Sequence, residues 1–394
     1  MNINTNTLNN LINLPFEENK VDLINIFNET QEENIFDLEM KENEMKNKQK
    51  EKELKKNENT TKDGNQNAPK KKKYKINYKA LNTRIDIDST LDFKEEIKAI
   101  EDISNFEKNL LALGDAFGNL IIVNLSMKKV VNKEKGHSHP IQVLIHLNKL
   151  DKKRTLISLS DMYFKIWDLK SMNIVKEIEV NSYVSCCAYL GNLSLTYFCS
   201  GHNSEIRIWD YQYLVKLDML EEMSPIILKS FGHTGLITCF LHLVNYSTYY
   251  LLSGSEDKSI IMWDLSDLSI VNTYEGHIDT ITSIASLLQK YFISSSQDRT
   301  LRVWHVNSGK SMYHILTSKE KISFVFNLEK IYNDNMIVIG DVNGKIQVIN
   351  LNTNLSLQET YANLYLSKAV ELQNSEYYFA ILEGDFHLRF IKLK

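Results

Sequence analysis

The stretch LSGSEDKSIIMWDLSD, Leu252 to Asp267, decides how this chain is read. A turn of small and polar residues holds Asp257, the apolar run Ile260-Ile261-Met262 follows, and Trp263-Asp264 closes it. A loop that carries chemistry occurs once, whereas a structural unit returns at a fixed period. Cousins do return, as LISLSDMYFKIWDL around Trp167, FCSGHNSEIRIWDY around Trp209 and FISSSQDRTLRVWH around Trp304. These tryptophans lie 42, 54 and 41 residues apart, against about 40–45 residues for one four-stranded repeating unit. Gly136-His137, Gly232-His233 and Gly276-His277 stand ahead of three of the four copies.

Gly-His opening a unit and Trp-Asp closing it resembles the WD-repeat (WD40) β-propeller family, over about Lys79 to Lys394. Fainter copies complete the set. LLALGDAFGNLIIVNL, MIVIGDVNGKIQVINL and FAILEGDFHLRFIKL keep the turn and the apolar strand but put Val123, Ile349 and Ile391 where tryptophan falls. Four clear and three degenerate units imply an all-β, seven-bladed propeller of four-stranded antiparallel blades. The last copy ends in the apolar strand HLRFIKL, with no fourth strand after it. An unpaired edge would leave a row of backbone donors and acceptors open. Ala80 to Asp88, ALNTRIDID, is therefore expected to pair antiparallel with His387 to Leu393, and EEIKAIEDI, Glu95 to Ile103, to begin blade 1.

What the resemblance implies for side chains is structural. In the family a histidine before a blade, a serine or threonine on its second strand, an aspartate in the following turn and the tryptophan of its third strand form a hydrogen-bonded chain. By motif these are His233, Ser253, Asp257 and Trp263 in one blade and His277, Ser294, Asp298 and Trp304 in the next. His137, Ser158, Asp161 and Trp167 form a third set with a shorter turn. Around Trp209, Asn203 stands for the aspartate and no Gly-His precedes. The degenerate blades lack the set and are expected to rely on ordinary packing. The family's partner-binding face is lined by the turns after second strands and the loops before first strands. Motif position puts Ser160, His202, Glu256 and Gln297 there, with Thr234 and Asp279 from the entry loops.

Composition agrees with a large folded domain and a different N-terminal part. The chain has 394 residues, 43% of them hydrophobic, and a net charge of −4, which gives no general attraction to nucleic acid. Residues 1–77 are rich in Asn, Lys and Glu and read as a disordered extension, with the propeller at 78–394. Short apolar islands at Leu8–Phe16 and Val21–Met40 suit docking on a partner groove or simple compositional bias. The run Lys70, Lys71, Lys72, Lys73 and Lys75 reads as an import signal, a solvated linker or a phosphate-contacting patch. Nuclear or cytoplasmic residence is expected, with the run tilting the choice to the nucleus.

Chemical motifs dissolve on inspection. Cys186, Cys187, Cys199 and Cys239 lack C-x-x-C spacing, and the ten histidines show no H-E-x-x-H. Gly309-Lys310-Ser311 ends like a phosphate loop, but Trp304 stands where the first glycine belongs. No catalytic residue, metal or cofactor is expected, and no membrane span. The expected protein is a monomeric propeller that binds other proteins of a complex, without a small-molecule substrate and with no call for nucleic acid. The alternative is a substrate receptor of a cullin-type ubiquitin ligase, because Trp167-Asp168-Leu169-Lys170 resembles the W-D-x-[R/K] docking signature of such receptors.

Overall fold

Apolar residues on both sides of strands such as SIIMWDL need cover on both faces, and stacked sheets provide it. The computed structural model describes residues 85–393, apart from 149–153, 161, 181, 217–225, 245, 248, 288–289, 310, 317–318, 329–335, 352–354, 373–374 and 376–377. The extension at 1–77, with its lysine run and apolar islands, lies outside the described residues. Seven four-stranded antiparallel sheets are formed, each in plain meander order. Blades 1 to 6 span 97–135, 143–179, 186–231, 237–274, 281–316 and 322–361. Blade 7 takes three strands from 366–393 and its outer strand from Ile85–Asp92.

First strands of successive blades are neighbours all the way round, blade 7 returning to blade 1, so the sheets close into a ring with the first strands innermost. Each Trp belongs to the core between its own blade and the preceding one. Trp167 packs with Ala99, Ile103 and Leu110 of blade 1, and Trp263 with Leu190 and Cys199 of blade 3. Trp304 packs with Leu243, Leu252 and Tyr274 of blade 4. Val123, which replaces tryptophan in blade 1, joins Leu382 and Phe390 of blade 7. The glycine of the Gly-His pair has a steric cause here. A Cβ on Gly136 would come within 2.3 Å of the Trp167 ring, and one on Gly232 within 2.6 Å of the Trp263 ring.

Around the inner wall, first-strand side chains bond to the next blade's backbone. Ser185 Oγ donates to the Ile237 carbonyl at 2.5 Å, Thr238 Oγ1 to Ile281 at 2.6 Å and Ser323 Oγ to Leu366 at 3.0 Å. In blade 7 the Lys368 ammonium takes this part, donating to the carbonyls of Lys98 and Gln142.

As expected, the closing strand pairs antiparallel with His387–Leu393. Among the described residues it runs Ile85–Asp92, so it takes in Ile85 to Asp88 of the expected Ala80 to Asp88 and continues four residues beyond, while residues 80–84 lie outside the described residues. Its register runs from Ile85 opposite Leu393 to Asp92 opposite His387, with a bulge between Ile87 and Ser89. The bulge restores side-chain alternation through Leu91, which packs against the core shared by blades 7 and 1. Blade 1 begins with Ile97–Asp102, inside the expected stretch.

Candidate functional site

Among the described residues, two blades hold the full hydrogen-bonded chain. In blade 4, Trp263 Nε1 donates to Ser253 Oγ at 2.8 Å, Ser253 Oγ lies 2.7 Å from His233 Nε2, and His233 Nδ1 lies 2.8 Å from Asp257. Blade 5 repeats it with Trp304, Ser294, His277 and Asp298 at 2.8, 2.8 and 2.7 Å. A carboxylate only accepts, so the imidazole Nδ1–H donates to the aspartate. Nε2 of the neutral ring is then an acceptor, the serine hydroxyl donates to it, and indole fills the serine's lone pair. Proton direction is thus fixed along the chain from Trp to Ser to His to Asp.

Each aspartate also ties the turn. Asp257 accepts from the backbone N–H of Thr234 and of Ser259 at 2.8 and 2.9 Å, and from the Ser259 hydroxyl at 2.6 Å. Asp298 does the same with Ile278 and Thr300. Burial alone would raise these carboxyls, but the histidine, hydroxyl and amide donors outweigh it and hold both well below the usual carboxylate range. Burial pulls His277 below its ordinary value despite Asp298. No pair here presents an acid, base and nucleophile to solvent; the histidines are buried and their partners saturated.

Blade 2 brings together His137, Ser158 and Trp167, with Ser158 Oγ 2.6 Å from His137 Nε2 and accepting Trp167 Nε1–H at 2.7 Å. Burial and Lys165 lower His137 to about 4. Asp161 lies outside the described residues. Blade 3 builds the chain differently. Trp209 Nε1 donates to Ser200 at 2.6 Å, Ser200 meets His202 Nε2 at 2.6 Å, and His202 Nδ1 meets Ser182 at 2.5 Å. Burial lowers His202 to about 3. Asn203 takes the left-handed turn position at φ 53°, as Lys258 and Arg299 do at 74° and 72°.

His202 and Ser160 are therefore not on the partner face. Both are buried, at 3% and 2% exposure. The turns of blades 2 and 3 are shorter, so these residues stand two positions after the serine rather than three, still inside the second strand and on the same inward side. Thr234 and Glu256 are exposed on the rim, and Asp279 and Gln297 are half-buried there. Sequence reasoning missed the large apolar residues of that rim. Phe117 and Phe386 sit in turns between second and third strands, and Ile278, Leu364 and Tyr365 in loops before first strands. All are exposed, Ile278 to 75% and Phe117 to 58%, and Tyr361 beside them to 62%. Their signal was present as a bulky residue in an otherwise small and polar turn.

The degenerate blades do not rely on packing alone. An acid ends the second strand in each. Asp115 accepts from the backbone of Phe117 and Asn119 at 2.9 and 2.8 Å, and Asp341 from Asn343 and Lys345 at 2.9 and 3.0 Å. Glu383 accepts from the backbone of Asn363 and Leu364 and pairs with Arg389. The fragments LGDAFGN and IGDVNGK carried this cue.

Cys186, Cys187, Cys199 and Cys239 are free thiols, and burial pushes each upward, away from thiolate chemistry. Among the described residues no cluster of three or more His, Cys, Asp or Glu side chains is arranged to hold a metal. No described helix is long and apolar enough to cross a membrane.

Comparison with known proteins agrees with this architecture. The family described as "WD domain, G-beta repeat" matches residues 226–264 and 268–305. Mitochondrial division protein 1 of Eremothecium gossypii is 26% identical over 237 residues, 56% of this chain and 30% of that protein. Its Saccharomyces cerevisiae namesake is 30% identical over 129 residues, 28% of this chain and 16% of that one. Human WD repeat-containing protein 37 is 33% identical over 93 residues, 23% of this chain and 18% of that one. The chain thus spans less than a third of the length of each of these relatives. Seven meander blades, tryptophans seated on the preceding blade, two complete Trp-Ser-His-Asp chains among the described residues and the family match make this chain a seven-bladed β-propeller that carries WD repeats at 226–264 and 268–305.

Proposed function

We propose that the chain is a non-enzymatic platform within a multiprotein assembly, docking a partner on the face formed by second-to-third-strand turns and entry loops. A WD propeller is a protein-interaction scaffold, and the observation that carries the specific reading is the apolar crowd at blades 6, 7 and 1. Tyr361, Leu364, Tyr365, Phe386 and Phe117 stay exposed there. Apolar side chains held out on rigid turns favour contact with protein. Thr234, Glu256, Asp279 and Gln297 would form the polar part of the same rim. The test is affinity capture from cells with the wild type and with Phe117→Asp combined with Leu364→Asp. A partner held by the wild type and lost by a variant of equal melting temperature supports the face. Retention of every partner by the variant refutes it.

The cullin-receptor alternative rests on Trp167-Asp168-Leu169-Lys170. Lys170 is exposed and available, whereas Asp168 caps its own turn through Lys170 N–H and Ser171. Adaptor and cullin in the same capture would favour it. The comparisons do not support a nuclear preference, since two of the relatives are named for mitochondrial division. We therefore treat Lys70 to Lys73 and Lys75 as an import signal only by proposal. A tagged chain whose distribution is unchanged by alanines at these positions would remove it.

A further inference from the structure

On the face opposite that rim, the ends of the first strands of blades 1, 2 and 3 enclose a cavity of about 560 Å³. Glu101, His146, Cys187 and Tyr189 line it from the strands, and Asn105 and Asn192 from the loops that follow. The walls offer mostly polar atoms, and among the described residues no lysine or arginine lines them. Among the described residues Glu101 is the carboxyl that lines this space, and it is half-buried. One of its oxygens accepts the His146 backbone N–H at 3.0 Å, and its charged neighbour is another acid, Asp102. His146 itself is buried, with Nδ1 3.2 Å from the Asp102 carbonyl. Among the described residues no cation pairs with this half-buried carboxyl, an arrangement that costs stability unless a cation completes it.

We propose that this cavity binds an organic cation, a guanidinium or primary ammonium head, with Glu101 as its counter-ion and the asparagine amides and Tyr189 ring around it. An anion would face Glu101, and an apolar group would strip polar walls of water without replacing their hydrogen bonds. The Tyr189 hydroxyl donates to the Leu195 carbonyl at 2.7 Å, and the ring is packed where Gly191 lacks a side chain, a Cβ there falling 2.4 Å from it. That fixes an aromatic wall suited to a cation. The head could belong to an arginine or lysine of a partner protein or to a free amine or guanidine. Both present the same chemistry.

Binding is expected to release a proton. In the empty cavity, burial, with a smaller push from Asp102, raises Glu101 to about 8. A cation favours the carboxylate, so affinity rises with pH up to about 8 and falls below it. Cys187, Tyr189 and His146 adjoin Glu101 from neighbouring strands and Asp102 follows it on its own strand, and the Glu101→Gln variant separates their contribution from its own.

The test is calorimetric titration of the full chain with ethylguanidinium and with acetyl-Gly-Arg-Gly-amide between about pH 6 and pH 8. The proposal predicts one saturable site for at least one probe, weakened at least about ten-fold by Glu101→Gln. Affinity should rise by up to about ten-fold per pH unit in the wild type and stay flat in the variant. A tighter peptide assigns the head to a partner protein, and equal affinities assign it to a free cation. Should Glu101→Gln not fold, Asn192→Arg supplies a guanidinium from the rim and is expected to abolish probe binding. No saturable binding of either probe, or undiminished binding by these variants, overturns the site. Phe117→Asp with Leu364→Asp leaves this binding intact, so its failure and that of the docking face are separable.

Discussion

Ser253 and Ser294 each carry two side-chain bonds with no exposed surface. Removing either hydroxyl strands an indole N–H and an imidazole nitrogen in the core, at about 1–3 kcal/mol for each group left unpaired. Ser253→Ala is therefore expected to lower the melting temperature by roughly 4–10 °C, measurable by calorimetry. Trp263→Ala adds a cavity between blades 3 and 4 and is expected to cost about 3–5 kcal/mol. An unchanged melting temperature in both would refute the role given to the chain. The histidines also set a pH response. His137, His202 and His277 lie below their unfolded value of about 6.5, so in the acid range the unfolded chain takes up protons that the folded chain refuses. Stability is then lost as pH falls from about 6.5 toward 4, and Asp257 and Asp298 extend the loss below about 3.9. Glu101 acts in the opposite direction, since the folded chain keeps its proton longer than the unfolded one. The slope is accordingly expected to be steeper in Glu101→Gln than in the wild type. A melting temperature in that variant that stays level from pH 7 to about 4.5 would contradict this.

At the scale of single strands and turns, legibility followed the strength of the local signal. A tryptophan at a regular interval is costly to bury without a partner, so Trp167, Trp209, Trp263 and Trp304 marked third strands, which is where they lie. Turn length was harder to read. Ser160 and His202 stand just before Asp161 and Asn203 and so read as rim residues, whereas a turn shortened by one residue returns such a position to the inward face. The acids of the degenerate blades were overlooked because Asp115, Asp341 and Glu383 stand at the strand's last residue and not in the turn. Asp341→Ala should detach two backbone amides and lower stability by about 1–2 kcal/mol, visible as a shifted urea midpoint with unchanged slope. No shift would mean that packing alone holds blade 6. The exposed apolar rim had no periodic cue, only single bulky residues in otherwise small and polar turns.

Over the whole molecule, one long-range pairing decides whether seven sheets make a rigid ring. Ile85–Asp92 covers the outer edge of blade 7 and meets Phe93 and Ile97 of blade 1 directly in sequence, so the last blade is fastened to the first by continuous chain. Phe93 N–H donates to the Phe386 carbonyl at 2.8 Å and Ile97 N–H to the Asp385 carbonyl at 2.7 Å, which continues the joint along the rim. A chain starting at Phe93 is expected to melt lower or aggregate, while one starting at Asn77 melts like the full chain, because only the former exposes the edge of His387–Leu393. Hydrogen exchange on the intact protein reads the closure most directly. The amides of Ile85–Asp92 that bond to the last blade should exchange as slowly as those of Ile260–Asp264 in blade 4, opening only with the ring as a whole. Exchange of Ile85–Asp92 within seconds, with blade 4 still protected, would contradict a ring closed by this strand.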